Sequence, residues 1–354
     1  MEIKIFDNID DLKLKKAWYR LQIKNNLFSQ MSYDWLEPWI RIKFRNRKLY
    51  IVSVINDDEI IAIVPLCIEN FYGLKLLRTL PIHFGDFYYI VGNIDNSILK
   101  FIIDFLKNNT SYDVINLQNI NSGSLFYKKL IEYNSFRNHK ISDIVYTKCE
   151  NNSIDDLISS LSKNQRKSLK RRIKRINESG VLNFKVISNR KEYEFYEKDM
   201  KRIFYKKWRE KRTKENEQVF EYRKRSYGNS LINNKAEGFM LLLDDKPIAY
   251  CLGFYFLNEY RSWKLVYDDE YSSFGPGIIL TAQILVYLSN KKIEYYNHGN
   301  GFYPYKLEWF HSQILSANHQ FLFSNKLIGK LYINFELSWK HNIKKLINFF
   351  KNIK

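Results

Sequence analysis

The chain has 354 residues, 45% apolar and 27% charged, with 57 Lys and Arg against 38 Asp and Glu, a formal charge of +19. That length predicts about two domains, each with a substantial core, and the composition is that of a globular protein. The cation excess favours anionic partners such as nucleotide cofactors, nucleic acid, acidic sugars or an anionic membrane. Drift toward an A/T-rich genome gives a similar excess of Lys, Asn, Ile and Tyr, so charge clusters carry more weight than the total. No apolar run approaches the roughly 20 residues that span a bilayer, and MEIKIFDNIDDLKLKKAW lacks the apolar core of a signal peptide. Cys67, Cys149 and Cys251 lie far apart, and six scattered histidines form no ligand motif. A reducing cytoplasm and no metal are expected.

Residues 9–26 are predicted helical, followed by a helix over Ser32–Arg45 with Trp35, Pro38 and Trp39 near its start. Tyr50–Ile55 and Glu59–Cys67 read as strands around a turn at Asn56-Asp57-Asp58. A further strand pair is expected at Leu74–Leu80 and Phe87–Val91, joined by His83-Phe84-Gly85-Asp86. Helix 96–108, strand 113–117 and helix 123–133 complete an α/β first half. The polar stretch Glu150–Ser153 suggests a boundary, dividing the chain into 1–150, 151–325 and a C-terminal segment 326–354. Ser153-Ile154-Asp155-Asp156 has the form of a capping box.

The second half opens on LSKNQRKSLKRRIKRINESG, residues 161–180. Leu169, Ile173 and Ile176 make an apolar stripe. Lys163, Arg166, Lys167, Lys170, Arg171, Arg172, Lys174 and Arg175 cover the other faces, and Gly180 is placed to end the helix. A solvated face accounts for this pattern. So does an anionic lipid head group, a polyanionic substrate or tRNA, and the four arginines suit phosphate or carboxylate. A strand at 182–187, a helix at 190–209 with Tyr196, Met200, Ile203, Phe204 and Trp208 inward, and strands 238–243 and 247–256 follow. Asp57-Asp58-Glu59-Ile60-Ile61-Ala62 and Asp244-Asp245-Lys246-Pro247-Ile248-Ala249 share the pattern DDxxIA between strand-like runs, which suggests a duplicated fold.

The stretch 260–310 organises the rest. Tyr260–Tyr267 alternates as a half-buried strand should, and Asp268, Asp269, Ser272 and Ser273 break the pattern. Gly275-Pro276-Gly277 then opens a helix with Ile278, Leu280, Ile284, Leu285 and Leu288 at helical spacing. Glycines let backbone approach a ligand, and free N–H groups at a helix start attract anions. The same residues also serve a plain strand-to-helix turn. A second strand and a polar aromatic loop follow. Beyond them, segment 326–354 carries seven Lys and one Glu. Trp339, Ile343, Leu346, Phe350 and Ile353 lie on one helical face there, which fits a membrane surface or the protein's own core.

In order and spacing, these motifs resemble the tandem-GNAT acyltransferases grouped with polysaccharide- and cellulose-biosynthesis acetyltransferases, distant relatives of the FemAB peptidoglycan ligases. The resemblance runs from Phe28-Ser29, Trp35 and Trp39 through Ile63-Val64-Pro65-Leu66 and the basic helix. It continues over Asp245-Lys246-Pro247-Ile248-Ala249, Tyr267-Asp268, Gly275-Pro276-Gly277, Gly301-Phe302-Tyr303-Pro304-Tyr305-Lys306 and Trp309. Asn297 stands where the family usually has Asp, and Phe302 where it has an acidic residue. The resemblance implies an α/β (α+β) protein of two GNAT-like domains, each a mostly antiparallel mixed sheet flanked by helices. Only the second domain would hold an acyl-CoA site. It implies a bacterial enzyme that transfers acyl, first of all acetyl, from acetyl-CoA to an amine of a sugar or glycan precursor. The cysteine usage places it in the cytoplasm, and the basic segments suit peripheral contact at the inner face of the membrane. A FemAB-like aminoacyl-tRNA-dependent ligase is the alternative, although no helical arm insertion of the length expected for that group is seen. A non-catalytic membrane or nucleic-acid binder with a decayed site is the third.

Acyl transfer to an amine needs no Ser or Cys nucleophile; it needs a phosphate cradle, donors for the oxyanion, a base and an acid. The cofactor contacts expected are Phe274, Gly275, Gly277 and Ile278 for pyrophosphate, and the resemblance places the acyl-group contacts on the main chain of Leu265–Tyr267, chiefly Val266 and Tyr267. Tyr305 suits the acid, since phenol and thiol acidities are similar; aromatic packing is its other reading. His298 suits a base near neutral pH, or a structural role. Asp268 is a third acid–base candidate. Lys306, Tyr303, Asp86 and Trp263 are substrate candidates, with Lys306 also suiting a surface ion pair and Asp86 ordinary turn chemistry.

Overall fold

The structure, a computed structural model, describes residues 1–25, 27–43, 47–81, 86–208 and 214–338. It is mixed α/β with mostly antiparallel strands, and it divides into two compact units that are discontinuous in sequence. The first comprises Met1–Asn25, Phe44–Ser142 and Ser316–Lys354; the second comprises Asn26–Lys43 and Asp143–Leu315. The expected linear division at residue 150 and again at 325 is therefore not how the contacts group.

In the first unit the hairpin Ile51–Asn56 and Glu59–Val64 is flanked by Glu2–Phe6 on one side and Val91–Gly92 on the other. Pro65 has no amide donor and splits the expected run Glu59–Cys67, so Leu66–Phe71 turns away into a second sheet. There it pairs antiparallel with Leu74–Thr79, which runs parallel to Val114–Asn121. The expected pairing of Leu74–Leu80 with Phe87–Val91 is not formed, and the joining residues 82–85 lie outside the described ones. The strand Gln313–Phe323, unexpected from sequence, pairs with Val114–Asn121. The helix Asn96–Asn108 buries Leu99, Ile102, Ile103 and Leu106, and its first turn is capped by Asp95, which accepts from the Ile98 amide at 2.8 Å.

In the second unit the strands run in the order Leu182–Ile187, Ala236–Leu243, Lys246–Phe256, Glu259–Tyr267, Tyr295–Asn297, then the end of Arg137–Lys148. All neighbours are antiparallel except Glu259–Tyr267 and Tyr295–Asn297. On one face the helices Ile154–Ser160, Lys163–Asn177 and Pro276–Asn290 bury Leu169, Ile176, Leu280, Ile284 and Leu288 against Phe239, Leu241 and Ile248. A second, aromatic core joins Trp35 to Tyr222, Phe254 and Trp263, with centroids 5.6, 5.1 and 5.1 Å apart. That contact assigns the helix Tyr33–Lys43 to the second unit, together with the unexpected helix Lys214–Ile232.

The DDxxIA echo is a repeated hairpin. Asp57 and Asp58 have φ of 48° and 62°, Asp244 and Asp245 of 47° and 61°, so both turns use the left-handed conformation that Asp tolerates. Val54 pairs with Ala62 and Ile55 with Ile60; Leu241 pairs with Ala249 and Leu242 with Pro247. The register slips at the same place in each. Residues 327–338 are helical, whereas Trp339, Ile343, Leu346, Phe350 and Ile353 lie outside the described residues. Among the described residues no helix is long and apolar enough to cross a membrane, and no cluster of three His, Cys, Asp or Glu side chains could hold a metal.

Candidate active site

Glu259–Tyr267 and Tyr295–Asn297 share only a short ladder, Glu259–Arg261 against Tyr295–Asn297. From Ser262 onward the two strands part. The other edge of Glu259–Tyr267 stays paired with Lys246–Phe256 as far as Tyr267. Among the described residues no strand covers the parted edge, which leaves main-chain donors and acceptors next to Val266 and Tyr267 for an extended, amide-bearing ligand.

Tyr267 delivers the chain into a short 3₁₀ turn, Asp269–Phe274, and then to Gly275 with φ 66°. The positive φ of Gly275 favours glycine, and a Cβ there would also displace the Arg172 guanidinium. Pro276, which has no N–H, opens the helix Pro276–Asn290. The amides of Ile278 and Ile279 already donate to the Gly275 carbonyl at 3.0 and 3.2 Å, so Gly277 carries the first-turn N–H left for a ligand. The Arg172 guanidinium reaches this point from the basic helix Lys163–Asn177. It donates to Ser168 Oγ at 3.4 Å, and no carboxylate pairs with it among the described residues. Burial, with Arg171 and Arg175 close by, pushes its pKa below the ordinary guanidinium value. Arg175 lies over the Phe274 ring at 5.5 Å. A helix start, a glycine and a guanidinium without a carboxylate partner have the chemistry that suits an anion.

Sequence reasoning missed the cations behind that turn. Arg202 pairs with Asp268 at 2.7 Å and holds the Pro247 carbonyl at 2.7 Å, while Lys206 bridges Asp268 at 3.0 Å and Glu270. Lys207 pairs with Asp269 at 2.6 Å and stands 3.8 Å over the Tyr267 ring. The helix Arg190–Trp208 was legible, but its last turn gave no sign that it faces Asp268-Asp269-Glu270. Asp268 is fully buried and also accepts from the Glu270 amide. Burial opposes its ionisation, yet Lys206, that amide and Arg202 together hold its carboxyl below the usual value. A carboxylate so engaged anchors the turn and is poorly suited to proton transfer.

The loop after Tyr295–Asn297 is built from the inside. Buried Asn297 donates to Glu259 Oε2 at 3.2 Å and accepts from the Gly299 amide at 2.9 Å, so the amide side chain shapes the loop. The Lys306 ammonium donates to the carbonyls of His298 and Gly301 at 2.8 Å each, and to that of Gly299 at 3.4 Å. It is thus a positioning residue for the loop. Lys306→Met strands these carbonyls, and we expect a loss of about 1–3 kcal/mol in stability, read from the denaturant midpoint.

His298 is half-buried, with Nε2 2.8 Å from Thr147 Oγ1, which in turn contacts Ser312 Oγ at 2.6 Å. Burial first, then the nearby Lys306 charge, lowers its pKa to about 3. It is therefore neutral at physiological pH and does not titrate there. Because the folded pKa lies below the unfolded value of about 6.5, the unfolded chain binds the extra proton as pH falls. Stability is expected to drop between about pH 6.5 and 3, and His298→Asn should flatten that part of the unfolding profile. Tyr303 and Tyr305 are half-exposed and stacked, with centroids 5.9 Å apart. Burial, then Tyr303 and Tyr267, raises the Tyr305 phenol above its ordinary value, and Lys207 opposes the rise.

Val266, Tyr267, Asp268, Phe274, Gly275, Gly277, Ile278, His298, Tyr303, Tyr305 and Lys306 all belong to the second unit. Trp263 belongs to it too, but its ring is packed in the aromatic core, stacked on Tyr227 at 6.1 Å. Asp86 is in the first unit, where its carbonyl accepts from Asn318 Nδ2 at 2.7 Å.

Residues 163–307 match an acetyltransferase (GNAT) domain, a stretch that opens with the basic helix and closes just past Lys306. The fold is similar to FemX, at 11% identity over 96% of this chain and 100% of that one, TM-score 0.59. It is also similar to L-PGS from Bacillus licheniformis, at 11% identity over 93% and 97%, TM-score 0.57. A conserved protein of unknown function from Bacteroides thetaiotaomicron gives 13% identity over 91% and 99%, TM-score 0.55. No curated protein sequence matches the chain. The matched domain defines the class: an enzyme, a GNAT-type N-acyltransferase.

Proposed function

We propose that the chain transfers an acyl group, acetyl first of all, from acyl-CoA to the amine of a sugar or surface-glycan precursor in the cytoplasm. The observation that carries this reading is the parted strand edge that runs directly into a glycine cradle faced by unpaired Arg172. These residues fit acyl-CoA: an amide-bearing arm suits the open edge at Val266–Tyr267, and a pyrophosphate suits the main chain of Phe274–Ile278 with Arg172 and Arg175. Acyl-CoA supplies an activated thioester when bound. The main chain near Tyr267 steadies the acyl carbonyl, and Tyr305 holds a proton at its Oη for the departing sulfur. Its raised pKa keeps that proton in place at neutral pH. With His298 neutral and Asp268 ion-paired, the acceptor amine enters as the free base or gives its proton to water.

The second reading, an aminoacyl-tRNA-dependent ligase of the FemAB kind, draws on the similarity to FemX and the unpaired cations of the basic helix. Calorimetric titration with acetyl-CoA, followed by an amino-sugar panel assayed with and without RNase, separates the two. Micromolar acetyl-CoA binding and RNase-insensitive transfer support the first; no binding and RNase-sensitive transfer support the second.

A further inference from the structure

The basic helix divides its cations between two directions. Arg172 and Arg175 lie on the flank that meets Gly275 and Phe274. Lys163, Arg166, Lys167, Lys170 and Arg171 are exposed on the faces away from the buried Leu169 and Ile176. The helix, 15 residues long, contains no acidic side chain, and only Lys174 of its cations reaches a carboxylate among the described residues, Glu178 at 3.8 Å. Some exposed helical cations elsewhere are matched one turn away, as in Lys100–Asp104, Arg190–Glu194 and Arg225–Glu221. On the basic helix the Arg166 guanidinium donates to the Leu161 carbonyl at 3.1 Å, but about four turns carry cations with no acidic side chain among them.

We infer that this face of the basic helix docks the enzyme on an anionic phospholipid surface, so that the acceptor is taken from that surface. The inference rests on the acyltransferase reading for its second half only. The face is a single convex helix surface with no aromatic residue, whereas single-stranded nucleic acid is held in basic grooves with aromatic rings interleaved for stacking. The exposed cations therefore fit a broad anionic surface better than a strand held in a groove. Since Arg172 of the same helix touches Gly275, docking brings the cradle within about one helix diameter, roughly 10 Å, of the lipid head groups.

The test is flotation of the full-length chain with phosphatidylcholine vesicles, with and without 30% phosphatidylglycerol (roughly the anionic load that polybasic segments respond to). Binding is expected only with the anionic lipid and should weaken steeply with added salt. The quadruple variant Arg166→Gln, Lys167→Gln, Lys170→Gln, Arg171→Gln should partition roughly 10²-fold less. Acetyl-CoA affinity should be unchanged, because Arg172 and Arg175 are untouched. Arg166→Lys with Arg171→Lys should retain flotation, since charge rather than shape is at work. Equal flotation of wild type and quadruple variant overturns the inference. So does equal binding to neutral vesicles, or retention by tRNA with none by vesicles. Acetyl-CoA titration of the same wild-type preparation decides the acyltransferase reading separately.

Discussion

Gly277→Glu is expected to lower acetyl-CoA affinity by about 10²-fold or more while the chain stays folded. Gly277 is the second residue of the helix Pro276–Asn290, and a Cβ there would stand 3.3 Å from Tyr267 Cδ1, a contact that a small movement of the ring relieves. A carboxylate in a first helical turn is favourable for the helix by about 0.3–1 kcal/mol, so stability should hold or rise. The same carboxylate competes with pyrophosphate for the helix N–H groups and for Arg172 and Arg175. Like charges brought together in a binding site cost several kcal/mol, and each 1.4 kcal/mol is about tenfold in affinity. Calorimetry with acetyl-CoA reads the loss. Gly277→Gln should bind more tightly than Gly277→Glu, because it carries the bulk without the charge. An unchanged dissociation constant in folded Gly277→Glu removes the cradle from the site.

Tyr305→Phe is expected to lower kcat by roughly 10²–10⁴-fold, the usual contribution of a general acid, with acetyl-CoA affinity preserved. The ring remains to stack on Tyr303; only the hydroxyl goes. Burial raises the Tyr305 pKa, so the wild-type rate should hold through neutral pH and decline only above about pH 10. That alkaline limb should vanish in the variant. Turnover within a few-fold of wild type would reduce Tyr305 to packing and pass the proton to solvent.

Much of this architecture was legible because local chemistry and tertiary demand agree. The Asp-Asp turns, Leu182–Ile187 and the apolar stripe Leu169, Ile173 and Ile176 follow from turn conformation and periodicity alone. Gly275-Pro276-Gly277 was readable as a strand-to-helix turn, but the guanidinium that gives the turn its charge comes from a helix about a hundred residues earlier in the chain. Strand Gln313–Phe323 was hidden because its interior includes Asn318 and Gln320, polar residues that break the apolar alternation. Their amide nitrogens donate to partners distant in sequence, the Asp86 carbonyl at 2.7 Å and the Asn116 side chain at 2.7 Å. Helix Lys214–Ile232 carries charges and Gly228 among its apolar residues, so no single stripe announces it. Sequence chemistry nominated His298 and Lys306 by their functional groups. It could not show that one is desolvated to neutrality and the other engaged by its own loop.

The discontinuity of the units bears on how the chain is made. Residues 318–323, which pair within the first unit, leave the ribosome only after the entire second unit has been synthesised. Residues 146–148 and the helix around Trp35, both part of the second unit, are made well before most of it. The first unit therefore cannot finish folding until the second has been translated, and early hydrophobic surface such as Trp35 waits for Tyr222 and Trp263. A gene divided after residue 150 would yield two fragments, each carrying a strand the other requires. Expressed singly they should be insoluble, and expressed together they should complement one another, which makes residue 150 a site for a split reporter rather than for a domain dissection.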